Sequence, residues 1–180
     1  KSISYVPISE IPTSAQDAII ASEDKYFYTN AGFSIRGMLR AFVANIFARR
    51  IVEGGSTITQ QLAKNAFLSS SRNVIRKYQE LVLATELNRR FSKEDVLEMY
   101  LNSVYFGEGA FGIENAAQAY FGIPTKELDL AQSALIIGLL PAPSAYSPLS
   151  NPPDKALARQ KVVLQEMVEG GMITQDQADQ

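Results

Sequence analysis

The chain has 180 residues, 46% of them hydrophobic, and a net charge of -2. That suffices for one ordinary domain or two small lobes with a real core, and bulk charge points neither to nucleic acid nor to anionic surfaces. There is no Cys and no His, which excludes disulfides, thiolate nucleophiles and thiolate metal sites and leaves proton transfer to Asp, Glu, Lys or Tyr.

Taken in chain order, the pattern is almost wholly helical. Pro12, Thr13 and Ser14 open a helix predicted to run to about Asp24. Gly32 breaks the chain, and Ile35, Met38, Leu39, Phe42, Val43, Ile46 and Phe47 then recur at helical spacing, accompanied or followed by Arg36, Arg40, Arg49 and Arg50. After Gly54-Gly55, Ser56 to Leu68 reads as a helix. Ser69-Ser70-Ser71 can cap the next, roughly Asn73 to Arg90, and Ser92 with Asp95 forms a capping pattern ahead of Val96 to Leu101. Gly107, Gly109 and Gly112 mark a turn-rich stretch. A helix follows to Tyr120, which Gly122 is placed to end. Asp129 to Leu140 reads as an apolar helix stopped by Pro141 and Pro143, and Pro148, Pro152 and Pro153 form a loop. A last long helix runs to Glu169, ended by Gly170-Gly171. No repeat, low-complexity tract or alternating strand is visible.

Lys1 and the polar Gln175–Gln180 read as cuts within a longer protein, and no signal peptide is visible. The longest nearly apolar run, Ala134 to Pro143, is too short to span a bilayer and contains Gly138 and Pro141. A membrane anchor is therefore expected outside this segment.

Four places could carry chemistry. Glu23 and Asp24 are adjacent carboxylates at a predicted helix end, beside Tyr26 and Phe27. Like charge and apolar cover both raise a carboxyl pKa, as a base working near neutrality needs, although a solvated helix terminus is the commoner meaning of such a pair. Around Gly54-Gly55, paired glycines permit close backbone approach and the following helix N-terminus can hold an anion. Ser56, Thr57, Gln60 and Gln61 add neutral donors, with Lys64 about a turn further on. The alternative is a plain capped turn. Arg72, Arg76, Lys77 and Glu80 form a third group, either a surface ion pair or a carboxylate held among cations that grip a pyrophosphate. Finally, the basic amphipathic stretch from Ile35 to Ile51 reads first as core. Its bulky Phe42 and Phe47 beside Arg residues also suit a membrane surface. Ser22-x-x-Lys25 matches the S-x-x-K pattern of penicillin-binding transpeptidases, but without a K-T-G or S-D-N partner it is a chance match.

Together these segments resemble glycosyltransferase family 51, the glycan-polymerising domain of class A penicillin-binding proteins and monofunctional transglycosylases. The resemblance covers nearly the whole chain. It runs through E-D-x-x-F at Glu23–Phe27, G-G-S-T-I-T-Q-Q-L-A-K-N at Gly54–Asn65, R-K-x-x-E at Arg76–Glu80, L-x-x-Y-L-N at Leu97–Asn102 and G-I-E-N-A-A-Q-A-Y-F-G at Gly112–Gly122. It ends with Ala131 to Pro148. The resemblance implies an all-α, mainly helical fold: a lysozyme-like core lobe and a smaller membrane-associated jaw lobe at roughly 30–56, within one glycosyltransferase domain spanning 1–180. The C-terminal helical stretch 153–180 would lead to a downstream transpeptidase domain.

The activity implied is polymerisation of lipid II into a β-1,4-linked glycan, with inversion and release of undecaprenyl pyrophosphate. By position Glu23 is the base and Glu80 the second carboxylate, and by analogy with inverting hydrolases a wide gap between two such groups would admit the acceptor. Asp24, Phe27, Ser56, Thr57, Gln60, Gln61, Lys64, Asn65, Arg72, Arg76 and Lys77 are implied to bind substrate. Ile35, Leu39, Phe42, Val43, Ile46 and Phe47 are implied to contact the membrane, reversing the first reading of that stretch. No cofactor or protein-held metal is firmly implied, though a divalent cation (Mg or Mn) has room at the pyrophosphate. The implied partners are lipid II, the growing strand and the membrane surface on its extracytoplasmic face. Moenomycin-type inhibition is expected from the family alone. Asn30 and Ser34 depart from the His and Asp often found there. A lysozyme-like hydrolase or lytic enzyme is the alternative activity, and a non-catalytic glycolipid-binding module is a further one.

Overall fold

The computed structural model describes residues 4–48, 55–68 and 73–180. Arg49, Arg50, Ile51, Gly54, the Ser69–Ser71 cap and Arg72 lie outside the described residues. The helices are α1 (Thr13–Glu23), α2 (Ile35–Ala48), α3 (Ile58–Phe67), α4 (Val74–Arg90), α5 (Lys93–Ser103), α6 (Ile113–Phe121), α7 (Leu130–Gly138), α8 (Pro143–Tyr146), α9 (Pro153–Glu169) and α10 (Gln175–Asp179). Among the described residues the one strand-like pairing is an isolated antiparallel bridge between Tyr105 and Phe111. The mainly helical expectation holds.

Helix starts follow their caps. Thr57 and Asp129 each close a capping box, with Gln60 and Gln132 respectively, so α3 and α7 begin one or two residues later than their polar openings suggested. Asn73 caps α4 by accepting from the Arg76 amide at 2.8 Å, and Ser92 accepts from the Asp95 amide at 3.1 Å ahead of α5. The Thr174–Gln177 box starts α10, which the sequence reading had left as a polar tail.

The chain divides into two compact units. Residues 1–25 and 101–180 form the first, residues 26–100 the second, and the boundary falls inside α5. In the first unit α1 packs on α7 and α9, and α7 also packs on α9. Ala15, Ala18 and Ile19 of α1, Ile136 and Ile137 of α7, and Val163 and Met167 of α9 are buried there. Small residues bring these helices close: a Cβ on Gly138 would lie 3.1 Å from the Arg159 carbonyl carbon. Asn102 grips the N-terminal segment at both ends of one residue. It accepts from the Val6 amide at 2.8 Å and donates to the Val6 carbonyl at 2.8 Å. The turn-rich stretch after α5 is tied down. Glu108, at φ 54, accepts from the Ser147 hydroxyl at 2.6 Å and from the Ser150 hydroxyl.

In the second unit α3 packs on α4. The loop before α2 is anchored by Asn30, whose Oδ1 accepts from the Gly32 amide at 3.0 Å and from Lys93 Nζ at 3.1 Å. Ser34 accepts from the Gly37 amide at 3.0 Å at the start of α2, the service an Asp would also perform. The segment 30–56 lies within this unit.

Candidate active site

Glu23 and Asp24 belong to the first unit, and every other described candidate belongs to the second. Glu23 is the last residue of α1 and is half-buried. Asp24 follows as the C-cap, buried, with its amide donating to the Ile20 carbonyl. Ala15, Ala18, Ile19 and Ile20 bury the rest of α1, so a rigid helix carries Glu23.

Glu166 of α9 lies in the field of Glu23. Burial pushes the Glu166 carboxyl above its ordinary range, Arg159 opposes this, Glu23 adds repulsion, Lys25 opposes, and Glu169 adds again. A raised folded-state pKa means that the folded protein holds this proton more tightly than the unfolded chain does. The resulting stability is present at low pH and is lost as pH rises through the folded value. Glu166→Gln is therefore expected to melt higher than wild type at pH 8, with the gap closing toward pH 4. A variant that melts lower than wild type by the same margin at both pH values would contradict this.

In the second unit the candidates gather at the start of α3 and the middle of α4. Lys77 Nζ donates to Ser56 Oγ at 2.8 Å and to Glu80 Oε1 at 2.9 Å. Glu80 is only 5% exposed, so this ammonium meets a carboxylate largely removed from water. Gln61 Oε1 accepts from the Tyr100 hydroxyl at 2.9 Å, and its Nε2 makes a long contact of 3.5 Å to the Ser56 carbonyl. Lys64 and Asn65 are exposed on α3, and Arg76 is half-buried on α4.

Three expected substrate contacts are differently employed. Phe27 is fully buried, with Lys93 Nζ 5.1 Å above its ring, so it packs as core and steadies Lys93. Thr57 is buried. Its hydroxyl donates to the Gly32 carbonyl at 2.7 Å and accepts from the Gln60 amide at 3.1 Å. Gln60 is also buried, and its Oε1 accepts from the Thr57 amide at 2.8 Å. Both side chains build the start of α3. Capping was legible in the T-x-x-Q spacing, although the neutral donors of this motif also suited a ligand. Conversely, Tyr100 lies in the L-x-x-Y-L-N motif without a role read from the sequence, and it reaches Gln61.

The apolar face of α2 is open. Ile35, Leu39, Phe42, Val43, Ile46 and Phe47 are all exposed, with Phe42 at 62% and Phe47 at 85%. α4 adds exposed Val74, Ile75 and Tyr78, which the sequence reading did not single out. Among the described residues no helix is long and apolar enough to cross a membrane, and no three acidic side chains gather as a metal site. A divalent cation at Glu80 would have to compete with Lys77 Nζ for the same oxygen.

The chain belongs to the transglycosylase family, whose model matches residues 1–168. Membership makes it a transglycosylase domain. Similar proteins include penicillin-binding protein 1A of Neisseria flavescens, 44% identical over 176 residues that are 98% of this chain and 22% of that protein. Penicillin-binding protein 1A of Aquifex aeolicus (strain VF5) is 45% identical over 176 residues, 98% of this chain and 24% of that protein. The chain thus spans less than a quarter of the length of these relatives. Among solved structures, penicillin-binding protein 1A from Haemophilus influenzae matches with a TM-score of 0.58 at 23% identity, over 99% of this chain and 17% of that one, a likeness of fold.

Proposed function

We propose that this chain polymerises lipid II into a β-1,4-linked glycan, with Glu23 as the base. Glu23 takes the proton from the acceptor's 4-hydroxyl as that oxygen attacks the anomeric carbon of the growing strand. The bond from that carbon to the phosphate oxygen breaks, and undecaprenyl pyrophosphate leaves with the electron pair. The donor linkage is α and the product β, so a single displacement inverts the centre. A pyrophosphate leaving group needs charge neutralisation more than it needs a proton. Lys64, Arg72, Arg76 and Lys77 supply it, Ser56, Gln61 and Asn65 offer polar contacts, and Asp24 buttresses the end of α1.

The Lys77–Glu80 pair is the observation that carries this reading. Glu80 Oε1 accepts from Lys77 Nζ at 2.9 Å and so orients an ammonium at the start of α3. A hydrolase acting on neutral glycan has no need of such a cation. The test is incubation with lipid II and, separately, with polymeric glycan. Lipid II consumption with strand growth is expected. Cleavage of the polymer with no consumption of lipid II would replace this reading with the hydrolase.

We assign the open face of α2 to the membrane surface, with residues 30–56 as the membrane-contacting lobe. The apolar side chains would enter the lipid interface while Arg36 and Arg40 stay near headgroups. Burying a Phe side chain contributes about 1.5–3 kcal/mol. Replacing Phe42 and Phe47 together by Ser should therefore weaken vesicle association by at least about tenfold. Unchanged co-sedimentation with vesicles would remove the assignment. The full-length protein on this reading carries a covalent transpeptidase domain and works at the extracytoplasmic face of a bacterial membrane, and the similarity to longer penicillin-binding proteins supports it.

A further inference from the structure

The L-x-x-Y-L-N motif at Leu97–Asn102 has no role in the reaction as proposed above, yet two of its side chains leave α5 for defined partners. Asn102 grips Val6, a bond of the fold. Tyr100 does something else. Its ring is 1% exposed, among the largest fully buried side chains, and its hydroxyl donates to Gln61 Oε1 at 2.9 Å.

That bond favours one orientation of the Gln61 amide. An amide has an acceptor end and a donor end. With Oε1 taken by the phenol, Nε2 is directed to the Ser56 carbonyl, 3.5 Å away. The Ser56 hydroxyl in turn accepts from Lys77 Nζ at 2.8 Å, and the same ammonium reaches Glu80 at 2.9 Å. A polar path thus runs from a buried phenol on α5, through α3, to the ion pair on α4, with the 3.5 Å step from Gln61 to Ser56 its longest. All of its members lie in the second unit. Without the phenol, Oε1 loses this donor, and an amide turned to bring its oxygen toward the Ser56 carbonyl would set two acceptors against each other.

We propose that Tyr100 is a positioning residue for the reaction, acting through Gln61 and Ser56 to hold Lys77 on Glu80. Its effect on turnover rests on the lipid II reading given above, whereas its effect on Lys77 does not. Lys77 is partly exposed, so its contact with Ser56 is the adjustable end of the path. A loosened Ser56 leaves Lys77 one partner in place of two and shifts the ammonium from where the leaving group needs it. Misplacement of this kind acts on the chemical step more than on binding.

The experiment is a double-mutant cycle with Tyr100→Phe and Gln61→Ala, read in two ways. Tyr100→Phe keeps the buried ring and removes only the hydroxyl. With lipid II, it is expected to lower kcat on the order of tenfold while leaving KM near the wild-type value. In the Gln61→Ala background the same change should have no further effect on kcat. The second reading needs no substrate. The rate at which Lys77 is acylated by an amine-reactive label, followed by mass spectrometry, should rise in Tyr100→Phe and equally in Gln61→Ala. Additive losses of kcat, or Lys77 labelling unchanged from wild type, would overturn the proposal. Coupled labelling in a protein that consumes no lipid II would leave the positioning role standing and remove the lipid II reading.

Discussion

Glu23→Gln is expected to abolish glycan polymerisation while leaving the protein folded and able to bind lipid II. Glutamine keeps the size and one acceptor oxygen of the side chain but cannot take up the proton of an attacking hydroxyl. A positioned general base contributes roughly 10²–10⁴-fold to rate, so the variant should fall by at least about a hundredfold in kcat. Glu23 closes α1 after the residues that bury it, and the C-cap contact is made by the backbone of Asp24. The melting temperature should therefore stay close to wild type, as for most substitutions away from a core. Glu23→Asp should also be poor, because a shorter side chain withdraws the base from its target by about the length of one methylene. The measurement is strand growth from labelled lipid II, with binding followed separately on the same preparations. A Glu23→Gln protein making polymer at half the wild-type rate would take the base role away from this residue.

The helices were legible because their signals are local. Apolar periodicity placed α2, and Ser92 with Asp95 marked the start of α5. Gly122, in the left-handed conformation, ends α6 where the sequence put the stop. The site was legible as a set of motifs but not as a division of labour. Thr57 and Phe27 read as substrate contacts because they lie inside specific motifs. Their burial is a tertiary fact, fixed by Gly32 in one case and by Lys93 in the other. Tyr100 lay in a quoted motif, but the motif gave it no role. A tyrosine at an apolar helix position reads as core, which it is, and only the partner 39 positions away shows where its hydroxyl goes. Long-range hydrogen bonds of this kind leave no periodic trace, so a motif locates a site without saying which of its members touch the substrate. The amphipathic α2 was ambiguous for another reason: core and lipid interface both call for an apolar stripe, and the exposure of Phe42 and Phe47 is what favours the proposed lipid contact.

Gly32→Ala should be among the most damaging single changes in the second unit, and the reasons can be separated by comparison with Gly122→Ala. Gly32 sits at φ +93, a conformation that residues with a side chain rarely adopt. A Cβ there would also lie 2.6 Å from the Ala84 carbonyl oxygen and 3.0 Å from its carbon. Those atoms belong to the middle of α4 and cannot swing aside as a flexible side chain could. The loop itself would have to move, and it holds two bonds that the site depends on. The Gly32 carbonyl accepts from Thr57 at the start of α3, and the Gly32 amide donates to Asn30, which also receives Lys93. Gly122 isolates the conformational part. It has φ +65, but nothing lies within 4 Å of its Cβ position. Gly122→Ala should therefore cost about 1 kcal/mol, and Gly32→Ala more than about 3 kcal/mol. At roughly 2–4 °C per kcal/mol for a chain of this size, the Gly32 variant should melt at least about 6 °C below wild type. Its folded fraction should also polymerise poorly, because a displaced Thr57 carries Ser56 away from Lys77. Thermal melts of the two variants side by side decide the matter. If both fall by the same amount, the close approach of this loop to α4 is not what positions the start of α3.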